Sequence, residues 1–332
     1  MKNTFFCIDA HTCGNPVRLV AGGAPMLPHL PIAERRALFV EHHDWVRQAL
    51  MFEPRGHDVM SGAILFPPYR DDCDLAVLFI EVSGCLPMCG AGTIGLVTTA
   101  VEEGLVTPRV PGQLALETPA GRVDVRYTEA AGKVTSVQML NVPSYLHAQD
   151  VQVEIDGLGT LSVDIAYGGN YYAVVEPQAH WAGLEGVRAA TLINLSQKLR
   201  SALAAVIDPV HPEDQRIRGV HHVIWCDQPA IDGIDGRCAV FYGEQAIDRS
   251  PGGTGTSARM AQLHGRGRLG VGETFRHQSL IGTTFIGRIE GETRVGDYPA
   301  ILPGVTGWAQ VIGYNTIIVD SRDPLAHGFQ MT

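Results

Sequence analysis

The chain has 332 residues, of which 45% are hydrophobic and 18% are charged, a composition that excludes intrinsic disorder and supplies enough apolar side chains for about two domains. Asp and Glu number 35 against 25 Lys and Arg, so the formal net charge of −10 argues against a nucleic-acid-binding surface. The first 16 residues lack the apolar stretch of a secretory signal, and no apolar run is long enough to span a membrane. A cytoplasmic protein with no nucleic-acid or membrane partner is therefore expected.

The cysteine content argues against a disulfide framework, because seven cysteines in a chain of this length are an odd number without a compact spacing. Cys85 and Cys89 are close in sequence, but no second pair of Cys or His completes a four-ligand zinc set. No metal site is expected.

The first half of the chain alternates strand and helix patterns. Strand-like runs rich in Val, Ile and aromatic residues lie at 17–20, 63–66 and 75–80. Apolar positions at helical spacing predict an amphipathic helix over 32–50. A glycine-rich motif, Cys89–Thr93, precedes a helix predicted over 93–103, with Gly104 in the place where a left-handed residue ends a helix.

The second half repeats this order. Asp164–Asn170 matches Asp9–Asn15 in its Asp, Gly and Asn positions, which indicates shared turns, and Gly252–Thr256 matches Cys89–Thr93. The second motif precedes a helix predicted over 256–264 and ended by Gly265. The other elements predicted here are a helix over 187–206 and strands over 171–175, 221–226, 238–242 and 316–320. The sequence therefore predicts an α/β or α+β protein built from two halves of similar fold.

Both glycine-rich motifs place small residues and free backbone N–H groups at the beginning of a helix. Such a turn favours a carboxylate or a phosphate without help from Lys or Arg. Cys89 stands where the first helix begins, and a thiolate is favoured there, so this sulfur is a candidate nucleophile or general base. The alternative is that Cys89 is a small buried apolar side chain, as most free cysteines are.

Longer stretches around these motifs resemble the proline racemase superfamily. Met88–Gly95 (MCGAGTIG) is similar to its first active-site motif, MCGHGTIG, and Asp248–Thr256 (DRSPGGTGT) is similar to its second, DRSPCGTGT. Further similar stretches are HTCGNPVRLV, EPRGHD, DIAYGGN and DSRDPLAHGFQ, so the resemblance extends from about residue 5 to residue 330.

The resemblance implies a fold like that of diaminopimelate epimerase, with two pseudo-symmetric halves, each a β-barrel-like sheet around a central helix. It places residues 4–146 and 310–332 in one half, residues 147–309 in the other, and the active site between them. It also implies an enzyme of hydroxyproline metabolism that needs no cofactor and acts on a small molecule such as proline or hydroxyproline. A homodimer is compatible with the family, although the sequence does not fix the oligomeric state.

Carried over residue by residue, the resemblance assigns a role to each position of the two motifs. Cys89 would remove the Cα proton, and Asp248 would pair with the ring amine of the substrate. The backbone N–H groups that would hold the substrate carboxylate belong to Gly90, Ala91, Gly253 and Thr254. His57 and His222 would hydrogen-bond the substrate hydroxyl or amine. Alternatively, the glycines serve tight turns, Asp248 caps the turn before the second helix, and the histidines belong to the core.

Two positions depart from the family motifs. Ala91 stands where the family has His, and Gly252 stands where racemases and epimerases have Cys and dehydratases have Thr. Inversion of a stereocentre requires an acid or base on each face of Cα, and Gly252 supplies neither. We therefore predict a hydro-lyase that converts trans-3-hydroxy-L-proline to a pyrroline-2-carboxylate, with Cys89 as the base.

Two alternatives stay open. One is a proline racemase or 4-hydroxyproline 2-epimerase with a single thiol, in which Ser250, Thr254 or a bound water replaces the second thiol. The other is a catalytically impaired protein that binds proline-like acids.

Overall fold

The computed structural model describes residues 2–229 and 231–331. The chain divides into two compact units, one made of residues up to 139 and from 307 onward, and the other of residues 140–306. The domain boundaries predicted from the sequence, after residues 146 and 309, stay a prediction. None of the described helices is long and apolar enough to cross a membrane.

In the described residues, four helices are flanked and separated by runs of two to six strands. The helices are α1 (Ile32–Met51), α2 (Gly90–Glu102), α3 (Ala189–Ala204) and α4 (Gly253–Gly265). The strands are β1 (Lys2–Thr12), β2 (Asn15–Gly22), β3 (Ser61–Phe66), β4 (Leu75–Glu81), β5 (Gly84–Leu86), β6 (Gln113–Thr118), β7 (Gly121–Ala130), β8 (Lys133–Leu140), β9 (Ser144–Ile155), β10 (Gly159–Tyr167), β11 (Tyr171–Val175), β12 (Val210–His211), β13 (Asp214–Arg218), β14 (His222–Asp227), β15 (Gly236–Tyr242), β16 (Ala246–Ile247), β17 (Thr274–Gln278), β18 (Thr284–Val295), β19 (Tyr298–Gly307) and β20 (Ala309–Asp320).

The two units have the same strand order. In the first, the order is β20-β1-β2-β3-β4-β6-β7, antiparallel except for the parallel pairs β2–β3 and β4–β6. In the second, the order is β9-β10-β11-β14-β15-β17-β18, antiparallel except for the parallel pairs β11–β14 and β15–β17. Strand β19 pairs with both β18 and β9, and closes the second sheet into an eight-stranded barrel. The predicted fold of two pseudo-symmetric α/β halves is confirmed.

Each unit has one helix that is buried over almost its whole length. In α2 every residue from Gly90 to Ala100 is buried, and in α4 every residue from Gly253 to Leu263 is buried. A helix surrounded by sheet carries apolar or small side chains on all sides, which describes α2. In α4 two long polar side chains are buried as well, and each has a partner. Arg259 forms an ion pair with Glu176 at 2.7 Å, and Gln262 donates a hydrogen bond to Asp164 at 2.6 Å.

The beginnings of these two helices differ from the prediction. Both start three residues earlier than expected, directly after Cys89 and Gly252. Gly104 has a φ of +66° and follows α2, as predicted. Gly265 was predicted to end the other helix in a left-handed conformation, but it lies within α4, and Gly267, with a φ of +69°, takes that conformation.

The matching aspartates of the two halves lie in strands, so the prediction that they shape turns is wrong. Asp9 in β1 accepts hydrogen bonds of 2.8 Å from Arg18 on both carboxylate oxygens. Asp164 in β10 accepts two hydrogen bonds of 2.6 Å from Arg266. Both aspartates are therefore charged partners of an arginine, and the bend after β1 is made by Cys13 and Gly14, which have φ angles of 47° and 97°.

Candidate active site

Cys89 is the N-cap residue of α2. It has an extended backbone, with φ −137° and ψ 111°, and its Sγ accepts a hydrogen bond of 3.2 Å from the N–H of Gly92. The side chain is buried, with 6% of the residue exposed. A sulfur in this position faces the positive end of the helix dipole, which favours its thiolate form.

The sulfur also has an acidic partner that the sequence did not reveal. The Cys89 thiol donates to Oε1 of Glu81 at 3.1 Å, and Glu81 is the last residue of the buried strand β4. Ser61 donates to the same oxygen at 3.2 Å, and Ser83 donates to Oε2 at 2.8 Å. Burial raises the pKa of Glu81, and the hydrogen bonds from Cys89, Ser83 and Ser61 oppose that rise. The signal for this contact was a lone acidic residue at the end of an otherwise apolar strand, LAVLFIE.

The first turn of α2 is fixed from β1. Thr12 donates its hydroxyl to the main-chain carbonyl of Ala91 at 2.8 Å, and both residues are buried. The first N–H groups of a helix, here those of Gly90 and Ala91, have no partner within the helix. They form the kind of backbone site that suits a carboxylate.

The second glycine-rich motif forms a tight turn between β16 and α4. Asp248 Oδ1 accepts a hydrogen bond of 2.7 Å from the N–H of Ser250, and the Ser250 hydroxyl accepts one of 3.1 Å from the N–H of Gly252. Gly252 is the N-cap of α4, with φ +76° and ψ 115°. Asp248 therefore helps to shape this turn, and its pairing with a substrate amine stays a prediction.

Two further side chains lie next to this turn. Tyr172 and Thr254 share a hydrogen bond of 2.6 Å between their hydroxyl oxygens. The ring of His222 lies 5.0 Å from the ring of Tyr172, and burial lowers the pKa of His222 to about 3, which keeps it neutral. Among the described residues, no group hydrogen-bonds Nδ1 of His222. The sequence does not reveal Tyr172 as a site residue, because its hydrogen bond to Thr254 depends on how β11 packs against α4.

Of the predicted site residues, His57 has a different setting. It is exposed in the loop between α1 and β3, where its main-chain carbonyl accepts a hydrogen bond of 2.9 Å from Met60. The other predicted residues fall into two groups: Cys89, Gly90 and Ala91 at the start of α2, and Asp248, Gly252, Gly253 and Thr254 at the start of α4. His222 begins β14 and lies next to Tyr172, whose hydroxyl reaches Thr254. Within residues 2–229 and 231–331, no cluster of His, Cys, Asp and Glu has the geometry to hold a metal ion.

The chain is similar to several proteins of known name. It is 69% identical over 331 residues to 4-hydroxyproline 2-epimerase 2 of Rhizobium rhizogenes, covering 100% of both chains. It is 53% identical to 4-hydroxyproline 2-epimerase of Shewanella loihica, covering 100% of this chain and 99% of that one. A crystal structure of a hydroxyproline epimerase from Agrobacterium vitis, with bound trans-4-OH-L-proline, matches with a TM-score of 0.91 and 29% identity, covering 99% of this chain and 95% of that one.

These relatives contradict the predicted activity. The motifs with Gly252 predict a hydro-lyase acting on trans-3-hydroxy-L-proline, whereas the relatives are named as epimerases, which are isomerases. The predicted dehydration is therefore wrong, and the expected closeness to dehydratases finds no support. The prediction gave the missing acid or base at Gly252 more weight than the alternative in which Ser250, Thr254 or a bound water carries the second proton.

The assignment to a family rests on nearly the whole sequence. The family model described as proline racemase matches residues 7–330, a range that includes both glycine-rich motifs and both buried helices. This chain belongs to the proline racemase family.

Proposed function

We propose that the protein is a 4-hydroxyproline 2-epimerase, which interconverts trans-4-hydroxy-L-proline and cis-4-hydroxy-D-proline by inverting C2. The observation that carries the proposal is the 69% identity, over the full length of both chains, to a protein of that name. The Agrobacterium vitis epimerase with trans-4-OH-L-proline bound supports the same class of substrate.

Inversion without a cofactor requires that one group removes the Cα proton while another delivers a proton to the opposite face. Cys89 serves as the group on one face, because its sulfur is accompanied by the N–H of Gly92 at 3.2 Å and by the carboxyl of Glu81 at 3.1 Å. The N–H groups of Gly90 and Ala91 bind the substrate carboxylate and stabilise the negative charge that develops when Cα loses its proton.

The second motif supplies the remaining contacts in this proposal. The N–H groups of Gly253 and Thr254 bind the carboxylate, and Asp248 pairs with the ring amine. The neutral ring of His222 hydrogen-bonds the substrate hydroxyl. The exposed ring of His57 hydrogen-bonds it as well. That both motifs act on one substrate molecule is part of the proposal.

Gly252 brings no acid or base to the second face. We propose that a hydroxyl or a water held by hydroxyls delivers that proton, with Thr254 and Ser250 as the candidates. The Thr254 hydroxyl is supported by its 2.6 Å hydrogen bond to Tyr172, because a phenol on its far side helps the hydroxyl to give up or regain a proton.

The test is to incubate the protein with trans-4-hydroxy-L-proline in D₂O. Proton NMR follows deuterium at Cα, and chiral chromatography follows cis-4-hydroxy-D-proline. We expect both deuterium incorporation and the inverted product, and we expect Cys89→Ser to lower both by about 10²-fold or more. Absence of both at high protein concentration, with a folded protein, overturns the proposal.

One observation favours a second candidate, a binding protein for proline-like acids without turnover. Gly252 supplies no side chain to the second face. Calorimetry would then detect binding of trans-4-hydroxy-L-proline while the NMR and chromatography signals stay at background.

A further inference from the structure

The carboxyl group of Glu81 connects the buried sulfur of Cys89 to a less buried hydroxyl. Oε1 accepts from the Cys89 thiol at 3.1 Å, and Oε2 accepts from the Ser83 hydroxyl at 2.8 Å. Glu81 itself is 5% exposed, whereas Ser83 is half-buried. The two oxygens of one carboxyl therefore face two different groups, one in the interior and one towards solvent.

Within the part of the chain that the structure describes, the carboxyl of Glu81 has hydrogen-bond donors around it but no side-chain cation bound to it. Among the described residues, its hydrogen-bond donors are Ser61, Ser83 and Cys89. Arg47 donates to the main-chain carbonyl of Glu81 at 2.9 Å, and its own charge is paired with Asp44 at 2.6 Å. Without a bound cation to stabilise its ionised form, this carboxyl is able to hold a proton. Burial favours the protonated form as well, because it raises the pKa of Glu81.

We propose that Glu81 is a positioning residue for Cys89 that accepts the thiol proton and exchanges it with solvent through Ser83. In the first step the S–H bond of Cys89 breaks and an O–H bond forms at Oε1 of Glu81, which leaves a thiolate beside a neutral carboxylic acid. The total charge of the pair does not change. In the second step the carboxyl group turns so that its O–H faces Ser83. The Ser83 hydroxyl oxygen takes that proton and releases its own proton to water, which leaves Glu81 as a carboxylate that can accept the next proton from Cys89.

The consequence for turnover rests on the proposed epimerase activity. When Cys89 takes the Cα proton from one epimer, the thiol must lose that proton before it can act on the next molecule. Glu81 gives this proton a route that does not require the substrate to leave first. A proton taken from the substrate is then exchanged with solvent during turnover.

The first test needs no substrate. The rate at which iodoacetamide alkylates Cys89, followed on the Cys89 peptide by mass spectrometry, is measured against pH for the native protein, Glu81→Gln and Glu117→Gln. Glu117 is the matched control, because it is 4% exposed and accepts backbone N–H groups of Ile32 at 3.0 Å and Tyr69 at 2.7 Å.

Two coupled groups titrate in two steps, so we expect two steps in the native profile and in that of Glu117→Gln. We expect a single step for Glu81→Gln, with a rate at neutral pH at least tenfold lower. If the Glu81→Gln profile coincides with the native one, or if Glu117→Gln changes it equally, the proposal is overturned.

The second test uses trans-4-hydroxy-L-proline in D₂O and compares deuterium in the recovered substrate with deuterium in the inverted product. We expect Ser83→Ala to keep the two-step alkylation profile but to lower deuterium in the recovered substrate at least fivefold, because the thiol then returns the original proton. An unchanged ratio overturns the relay through Ser83. Altered alkylation in Glu81→Gln without any turnover in the native protein supports the Cys89–Glu81 pair and refutes the epimerase proposal instead.

Discussion

The carboxylate of Asp248 borders the space that a side chain at Gly252 would enter. An ideal Cβ on Gly252 would lie 3.5 Å from Oδ2 of Asp248 and 3.4 Å from Cγ2 of Val240, which are ordinary contact distances. The space therefore accepts a small side chain. The backbone does not favour one, because Gly252 has a φ of +76°, in the left-handed region that residues with a Cβ rarely adopt.

We expect Gly252→Ala to lower the free energy of unfolding by about 1 kcal/mol through this strained φ. Gly255→Ala is the control, because Gly255 is helical and its added Cβ would lie 3.5 Å from Tyr172 and 3.6 Å from Ile224. That change should leave stability equal or slightly higher, since Ala is the better helix former. Urea unfolding of the native protein and the two variants measures these free energies. An equal decrease in the free energy of unfolding for both variants would contradict the prediction.

Gly252→Cys combines the same strain with a new thiol beside Asp248. If the second face of Cα lacks an efficient acid, this variant should form cis-4-hydroxy-D-proline at least tenfold faster than Gly252→Ala. That is less than the roughly 10²-fold or more that a well-positioned acid or base contributes, because the strained backbone at position 252 leaves the new thiol imperfectly placed. Chiral chromatography of both variants measures the ratio. Equal rates would mean that position 252 does not reach the reacting carbon.

Cys89 should differ from the other thiols in reactivity. Burial raises the pKa of Cys85 to about 11, so its thiol stays protonated at neutral pH. The sulfur of Cys89 instead accepts a hydrogen bond from the N–H of Gly92 at the start of α2. We expect Cys89→Ser to lower Cα exchange by about 10²-fold or more, and Cys85→Ser to change it little. Peptide mapping after brief iodoacetamide treatment should find label on Cys89 well before Cys85, and the reverse order would contradict this interpretation.

The element order could be predicted from the sequence because each half repeats the same local signals. Cys89–Thr93 and Gly252–Thr256 both lead into a helix. The strand after each helix pairs in parallel with an earlier strand of its own half, β6 with β4 and β17 with β15. Contacts between elements distant in sequence could not be predicted in this way. The hydrogen bond between Glu81 and Cys89 depends on where β4 ends relative to α2, and no local pattern specifies that position.

Gly265 illustrates the same limit, and it can be tested. The sequence placed it at a left-handed helix end, but it is helical, and a Cβ there would lie 2.7 Å from Cδ2 of Leu146. It is glycine because β9 packs closely against α4. We expect Gly265→Ala to cost about 1–3 kcal/mol of unfolding free energy through overpacking. The double variant with Leu146→Ala should recover part of that loss in urea unfolding, and no recovery would show that the contact is not the cause.

Acid should destabilise the fold through His222. Its pKa is lowered by burial from 6.5 to about 3, so the unfolded chain binds a proton below about pH 6.5 that the folded chain refuses until about pH 3. The contribution to stability is therefore constant above pH 6.5 and is lost as pH falls towards 3, at up to about 1.4 kcal/mol per pH unit for one proton.

His222→Phe should reduce this dependence of stability on pH, while replacement of the exposed His42 by Gln should not. Because His277 is also buried with a pKa of about 3, part of the slope persists in the single variant. Urea unfolding from pH 7 to pH 4 measures the slopes, and a slope in His222→Phe equal to that of the native protein would mean that His222 is already protonated in the folded state.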